Sequence, residues 1–92
     1  MIRKKVLSRS DLENLKIKEE NRIITLVNEE LSKFYYSLLN NKIIGISTSK
    51  LNLNKKAVEF ILKYYNESDL WVVEYTENKE DKENNLITFQ LK

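Results

Sequence analysis

The chain contains no cysteine and no histidine. Without cysteine it has no disulfides and no thiolate nucleophile, and without histidine it lacks the side chain that most often transfers protons near neutral pH. The two residue types that most often hold zinc are missing as well. These absences argue against catalysis, so we expect a non-enzymatic binding protein with no catalytic residues, no metal and no cofactor.

Glycine occurs once and proline does not occur. Phosphate-cradling loops and dinucleotide-binding turns need several glycines, because the backbone must approach the ligand closely, so nucleotide-dependent chemistry is not expected. Scarce glycine and proline, with abundant lysine, asparagine and isoleucine, are the bias of AT-rich codons. This composition suggests a low-GC genome, or a phage or other mobile element.

Long hydrophobic runs are also missing. Only Val6 and Leu7 follow the basic start of the chain before polar residues resume, and no segment approaches the roughly 18 apolar residues of a membrane span. We therefore predict a cytoplasmic protein that binds no membrane. A length of 92 residues, with 41% hydrophobic and 33% charged residues, is typical of one folded domain over 1–92. Residues 1–9 are expected to form a flexible basic arm.

Three segments show signs of helices. Ser10 and Glu13 fit a capping box, which predicts a short helix whose apolar pattern stops after Leu15. Over Ile23–Leu39, apolar residues recur at three- and four-residue steps, which predicts a first main packing helix. A second main helix is predicted after the capping residue Asn54. Its apolar stripe consists of Ala57, Val58, Ile61, Leu62 and Tyr65.

The last third of the chain alternates apolar and polar residues, as β-strands do. The alternation over 71–76 and again over 87–91 predicts an antiparallel hairpin joined by the long polar loop ENKEDKENN. A β-branched run at 43–46 predicts another short strand, and residues 47–53 form either a turn or a single helical turn. The predicted fold class is α+β, with two main helices and a short N-terminal helix on a small antiparallel sheet.

Aromatic residues divide between these patterns. Four of them fall on the stripes assigned to packing and are expected in the core, namely Tyr35, Tyr65, Trp71 and Tyr75. Tyr36 and Tyr64 lie off the stripes. Because exposed aromatic side chains are common anchors of protein interfaces, these two tyrosines are the better candidates for recognition.

The order of these elements resembles the winged helix-turn-helix family. A helix over Ile23–Leu39 is followed by the stretch IIGISTSKLNLNKKAVEFILKYYNESDLWVVEYTENKEDKENNLITFQL. In that family the second helix of the turn enters the DNA major groove. The resemblance implies a recognition helix that exposes Asn54, Lys55, Lys56, Glu59 and Lys63, with Ser47, Thr48, Ser49 and Lys50 near phosphates. The same elements also fit a β-α-β-β sheet, and the sequence leaves both arrangements open.

Two functions remain in competition. The formal net charge of +2 is too small to indicate a nucleic-acid binder, and acidic residues concentrate in the hairpin loop. The first hypothesis is therefore a protein-interaction module, an inhibitor or adaptor that binds a larger protein and whose acidic hairpin mimics nucleic acid. Its partner-binding candidates are Glu77, Glu80, Asp81, Glu83, Tyr36 and Tyr64.

The alternative hypothesis is a DNA-binding transcriptional regulator of the winged-helix type. Its candidate DNA contacts are Lys50, Asn54, Lys55, Lys56 and Lys63. Either function is compatible with a homodimer, because the segment around Leu12 and Leu15 and the long helix offer more apolar surface than one small domain covers.

Overall fold

The computed structural model describes residues 6–81 and 85–92, and it shows the predicted α+β fold. Within these residues the helices are α1 (Arg9–Ser32), α2 (Tyr35–Leu39) and α3 (Lys55–Glu67). The strands are β1 (Ile44–Ser47), β2 (Trp71–Thr76) and β3 (Leu86–Leu91). They form one antiparallel sheet in the order β1-β3-β2, so the predicted C-terminal hairpin is present and β1 pairs with β3.

Helix α1 starts earlier than the sequence pattern predicts. The hydroxyl of Ser8 accepts a hydrogen bond from the backbone N–H of Asp11 at 3.2 Å, and the Asp11 carboxylate accepts one from the N–H of Ser8 at 3.0 Å. This reciprocal pair is a capping box, two residues before the predicted one. Arg9, which the sequence assigned to the basic arm, is therefore the first residue of α1, while residues 1–5 of that arm lie outside the described residues.

The predicted division between a short N-terminal helix and a separate main helix is wrong, because α1 is continuous to Ser32. Where its apolar pattern stops, Arg22 Nε donates to Glu19 Oε2 at 3.0 Å, and an ion pair at this spacing supports a helix. The break comes later, where the N–H groups of Lys33 and Phe34 bond to carbonyls three residues back. The turn at this point leads into the short helix α2, whose Leu38 reaches the core.

The core lies between the sheet and its helices. Helix α3 packs on β2 through the predicted stripe, and α1 packs on α3. Phe89 on the central strand is fully buried, and its ring meets the rings of Tyr65 and Trp71 edge to face, with centroids 5.5 and 6.2 Å apart. The buried apolar residues are Ile23, Val27, Leu31, Leu38, Ile46, Ala57, Val58, Ile61, Tyr65, Val73, Ile87 and Phe89.

The connection between β1 and α3 is a turn. Residues 48–52 have turn conformation, with Asn52 in the left-handed region at a φ of 53°, so the helical alternative for this segment is wrong. Thr48 anchors the turn, because its N–H donates to the carbonyl of Asn85 at 3.1 Å. The helix that follows is capped as predicted, since Asn54 Oδ1 accepts from the N–H of Ala57 at 2.8 Å.

In the described part of the chain, no helix combines the length and the apolar character that crossing a membrane would require.

Candidate functional site

The exposed side of α3 carries both signs of charge. Lys56 and Lys63 are exposed, and so are the glutamates that alternate with them on the helix. Together with residues of α1 they line a groove of about 380 Å³. Its charged residues are three lysines (Lys16, Lys56 and Lys63) and three glutamates (Glu20, Glu59 and Glu67), so its formal charge is zero.

Lys50 does not line this groove and is paired with a carboxylate of α1. Its ammonium group donates to Glu30 Oε2 at 3.2 Å, and Lys33 donates to Glu30 Oε1 at 2.9 Å. Although only 7% of Glu30 is exposed, the carboxyl stays charged, because these two hydrogen bonds, that of Lys33 first, lower its pKa below the ordinary value. Glu30 thus neutralises one of the two positive charges that Lys33 and Lys50 carry.

Asn54 and Lys55 face a different groove from the other predicted DNA contacts. This groove has a volume of about 560 Å³ and lies between the start of α3 and the hairpin, where Glu59, Tyr75 and Glu77 also line it. The side-chain oxygen of Asn54 is occupied by its cap. Of the five residues predicted for a DNA interface, Lys50 therefore lies apart, while the other four line two grooves that meet at Glu59.

The acidic loop is organised by two asparagines at its base. Asn78 donates its backbone N–H to Asn85 Oδ1 at 2.7 Å, and its own Oδ1 accepts from the N–H groups of Glu80 and Asp81 at 3.1 and 3.2 Å. Both acidic side chains are exposed, as is that of Glu77. The fourth predicted acidic residue, Glu83, lies outside the described residues.

The tyrosines only partly follow their predicted positions. Tyr36 and Tyr64 are exposed, at 73% and 48%. Tyr65 is buried as predicted, and its hydroxyl donates to Asn28 Oδ1 at 2.6 Å, while burial and the neighbouring Tyr64 raise its pKa to about 12. The core prediction for Tyr35 is wrong, because 63% of it is exposed where the chain turns out of α1 into α2.

Of the other two aromatic residues predicted for the core, Trp71 reaches the edge of the core, and the prediction for Tyr75 is wrong. Trp71 is half-buried and packs against the core. Tyr75, at 37% exposed, lies at the surface near the end of β2. The alternating pattern placed both residues on the same face of the sheet as the buried Val73. Tyr75 is nevertheless exposed, because it lies on an edge strand, near the end of the strand.

An apolar groove that the sequence did not predict lies where α1, α2 and the sheet meet. Its volume is about 360 Å³, and the side chains of Leu39 and Tyr35 on its rim are exposed. No linear pattern marks this groove, because it exists only where the break after α1 brings α2 beside the sheet. Its lining is Asn28, Leu31, Ser32, Tyr35, Leu38, Leu39, Trp71 and Leu91.

The part of the chain that the structure describes contains no group of three or more acidic residues arranged to hold a metal ion. Among those residues, every buried side-chain nitrogen and oxygen has a hydrogen-bond partner. Comparison with known proteins adds no relative, since no family model, no curated protein and no solved structure matches the chain.

Proposed function

We propose that this chain is a small non-enzymatic protein-interaction module, an inhibitor or adaptor of the cytoplasm, and that a larger protein docks an apolar helix into the groove beside α2. The observation that carries the proposal is the contrast between two surfaces. The groove between α1 and α3 has balanced charges, whereas the groove beside α2 is lined almost entirely by apolar side chains.

The groove has the properties of a protein-docking site. Aromatic side chains that keep a polar tip, such as Tyr35 and Trp71, are enriched among the residues that dominate binding energy. Leu39 is 71% exposed at the rim, and apolar surface of this kind gains free energy when a partner removes it from water. Tyr36, which the sequence indicated as a recognition residue, lies beside this rim, with its ring centroid 6.2 Å from that of Tyr35. An amphipathic helix is the partner element whose row of apolar side chains fits such a groove.

Substitution of Leu39 tests this proposal. Tagged protein should retain a partner from extracts of the native host, and Leu39→Ser should lose it, because the serine places a hydroxyl in the apolar contact. The matched control is Ile43→Ser, since Ile43 is a comparably exposed aliphatic residue that does not line the groove. With the purified partner, calorimetry should show affinity weakened about tenfold or more by Leu39→Ser. Equal retention by the two variants, or no specific partner at low salt, would refute the proposal.

DNA binding is the alternative, and the exposure of Lys55, Lys56 and Lys63 is the observation that favours it. Because phosphate contacts release counterions, a DNA binder would lose affinity steeply as salt rises. Our proposal predicts no measurable binding to a mixed-sequence duplex in a low-salt fluorescence titration. Salt-dependent binding that is lost on Lys56→Gln and Lys63→Gln, but kept in a Lys18→Gln control, would instead establish the winged-helix alternative.

A further inference from the structure

The first half of α1 extends beyond the core. The buried residues of this 24-residue helix begin at Ile23, and the side chains before it are exposed or at most half-buried. The molecule measures 60 × 32 × 21 Å, and its radius of gyration is 16.3 Å, whereas a compact chain of this length has about 12 Å. A helical segment of this length is only marginally stable in water when nothing packs on it.

This projecting segment carries the beginning of a coiled-coil seam. Leu12 and Leu15 are 53% exposed and lie on one side of the helix, whereas Ile17, 55% exposed, lies on the opposite side. Leu15 shares a shallow surface groove with the oppositely charged Asp11 and Lys18. Alternating steps of four and three residues extend this side along the helix with the spacing of a heptad repeat. The next two positions hold Glu19 and Arg22, which pair with each other, so the apolar part of the seam is Leu12 and Leu15. The seam positions are Ser8, Leu12, Leu15, Glu19, Arg22 and Leu26.

Two charges of the segment are complementary to those of a second copy that runs in the opposite direction. If Asn14 lies opposite Leu15 of the second copy, Asp11 falls opposite Lys18, and this pair of opposite charges forms twice by symmetry. The other charges of the segment have partners within one chain, since Arg9 Nε donates to Glu13 Oε1 at 3.0 Å and Lys16 and Glu20 face α3. Asp11 and Lys18 both flank the leucines directly, at the positions that select partners in coiled coils.

We propose that the projecting half of α1 is a dimer interface, in which two copies of this chain pair antiparallel through Leu12 and Leu15. The pairing removes these exposed leucines from water and aligns the charges that flank them. It is independent of the apolar groove beside α2, because no residue lines both surfaces. Each dimer would thus present two copies of that groove.

Light scattering of the purified protein tests the interface without any partner. At about 100 µM the wild type should have twice the chain mass of 11.0 kDa, and Leu12→Ala with Leu15→Ala should yield a monomer that keeps the near-UV circular dichroism of the packed core aromatic residues. Ile17→Ala removes an equally exposed side chain from the other side of the helix and should remain a dimer. A monomeric wild type, or a dimeric double-leucine variant, would overturn the proposal.

Charge reversal tests the antiparallel alignment. Asp11→Lys and Lys18→Glu each put like charges opposite one another twice per dimer, so each should weaken self-association about tenfold. Mixing the two variants should restore dimers, because the two introduced side chains then face each other with opposite charges, and the two native ones, Lys18 and Asp11, do so as well. Asp11→Lys also removes the hydrogen bond that caps α1. Mixing does not restore that bond, so a recovery of dimers in the mixture can come only from the charges. If the mixture self-associates no better than the separate variants, the alignment is wrong.

Discussion

Replacing Phe89 with alanine is expected to lower the free energy of unfolding by about 3–5 kcal/mol, the largest effect that we predict for a single substitution. Phe89 is fully buried on the central strand, where its ring contacts those of Tyr65 and Trp71. Alanine removes that buried surface and leaves a cavity, because the neighbouring rings belong to other elements and cannot all move inward. Urea unfolding followed by far-UV circular dichroism measures the loss.

Two further substitutions, one at Phe89 and one beside it, test whether the loss comes from the buried ring. Phe89→Leu keeps most of the apolar volume and should cost about 1–2 kcal/mol, between wild type and alanine. Thr88→Ala, next to it but with its side chain on the outer face of the sheet, should cost less than about 1 kcal/mol, because it loses only strand propensity and a long hydrogen bond of 3.4 Å to the carbonyl of Glu74. A loss below about 1 kcal/mol for Phe89→Ala would show that this ring does not occupy the centre of the core.

Asn66→Ala is expected to lower the free energy of unfolding by about 1–2 kcal/mol, although Asn66 is exposed. Its side chain binds the open edge of β2, because Nδ2 donates to the carbonyl of Val73 and Oδ1 accepts from the N–H of Val73, both at 2.9 Å. Alanine leaves the backbone N–H and carbonyl of the buried Val73 without these partners. The better helix propensity of alanine offsets about 0.5 kcal/mol of the loss.

The matched control for this substitution is Asn21→Ala. Asn21 is exposed on α1, and its side chain makes no hydrogen bond with another described residue, so alanine should stabilise slightly through propensity alone. Hydrogen exchange adds a local measurement, since the amide of Val73 should exchange faster in Asn66→Ala than in the wild type. An unchanged exchange rate there would mean that the side-chain bonds do not protect the edge of the strand.

The regular elements with a clear period were predictable from the sequence. The stripe of α3 repeats at helical spacing, and the residues of β2 and β3 alternate, so burial on one face specifies both the element and its orientation. The cap at Asn54 was predictable as well, because a side-chain oxygen before a helix has a local partner. These features depend only on residues that are close together in the sequence.

The N-terminal helix was harder to predict, because its local signals conflict. Ser8 and Ser10 both offer caps, and the loss of an apolar stripe near Glu19 predicted a break that the structure does not contain. The true end at Ser32 follows from packing, since the turn there lets Leu38 of α2 reach the core. The exposure of Tyr35 is a direct consequence of that turn, which explains why its helical spacing was misleading.

The sequence by itself determined the α+β class, the stripe of α3, the hairpin and the residue chemistry that is missing. Only the tertiary structure decided which charged residues meet: it placed Glu30 between Lys33 and Lys50, and it balanced the lysines of α3 with glutamates. It alone created the apolar groove beside α2. The physical reason is that periodicity records which face of an element avoids water, whereas grooves and ion pairs depend on distances between elements that are far apart in the chain.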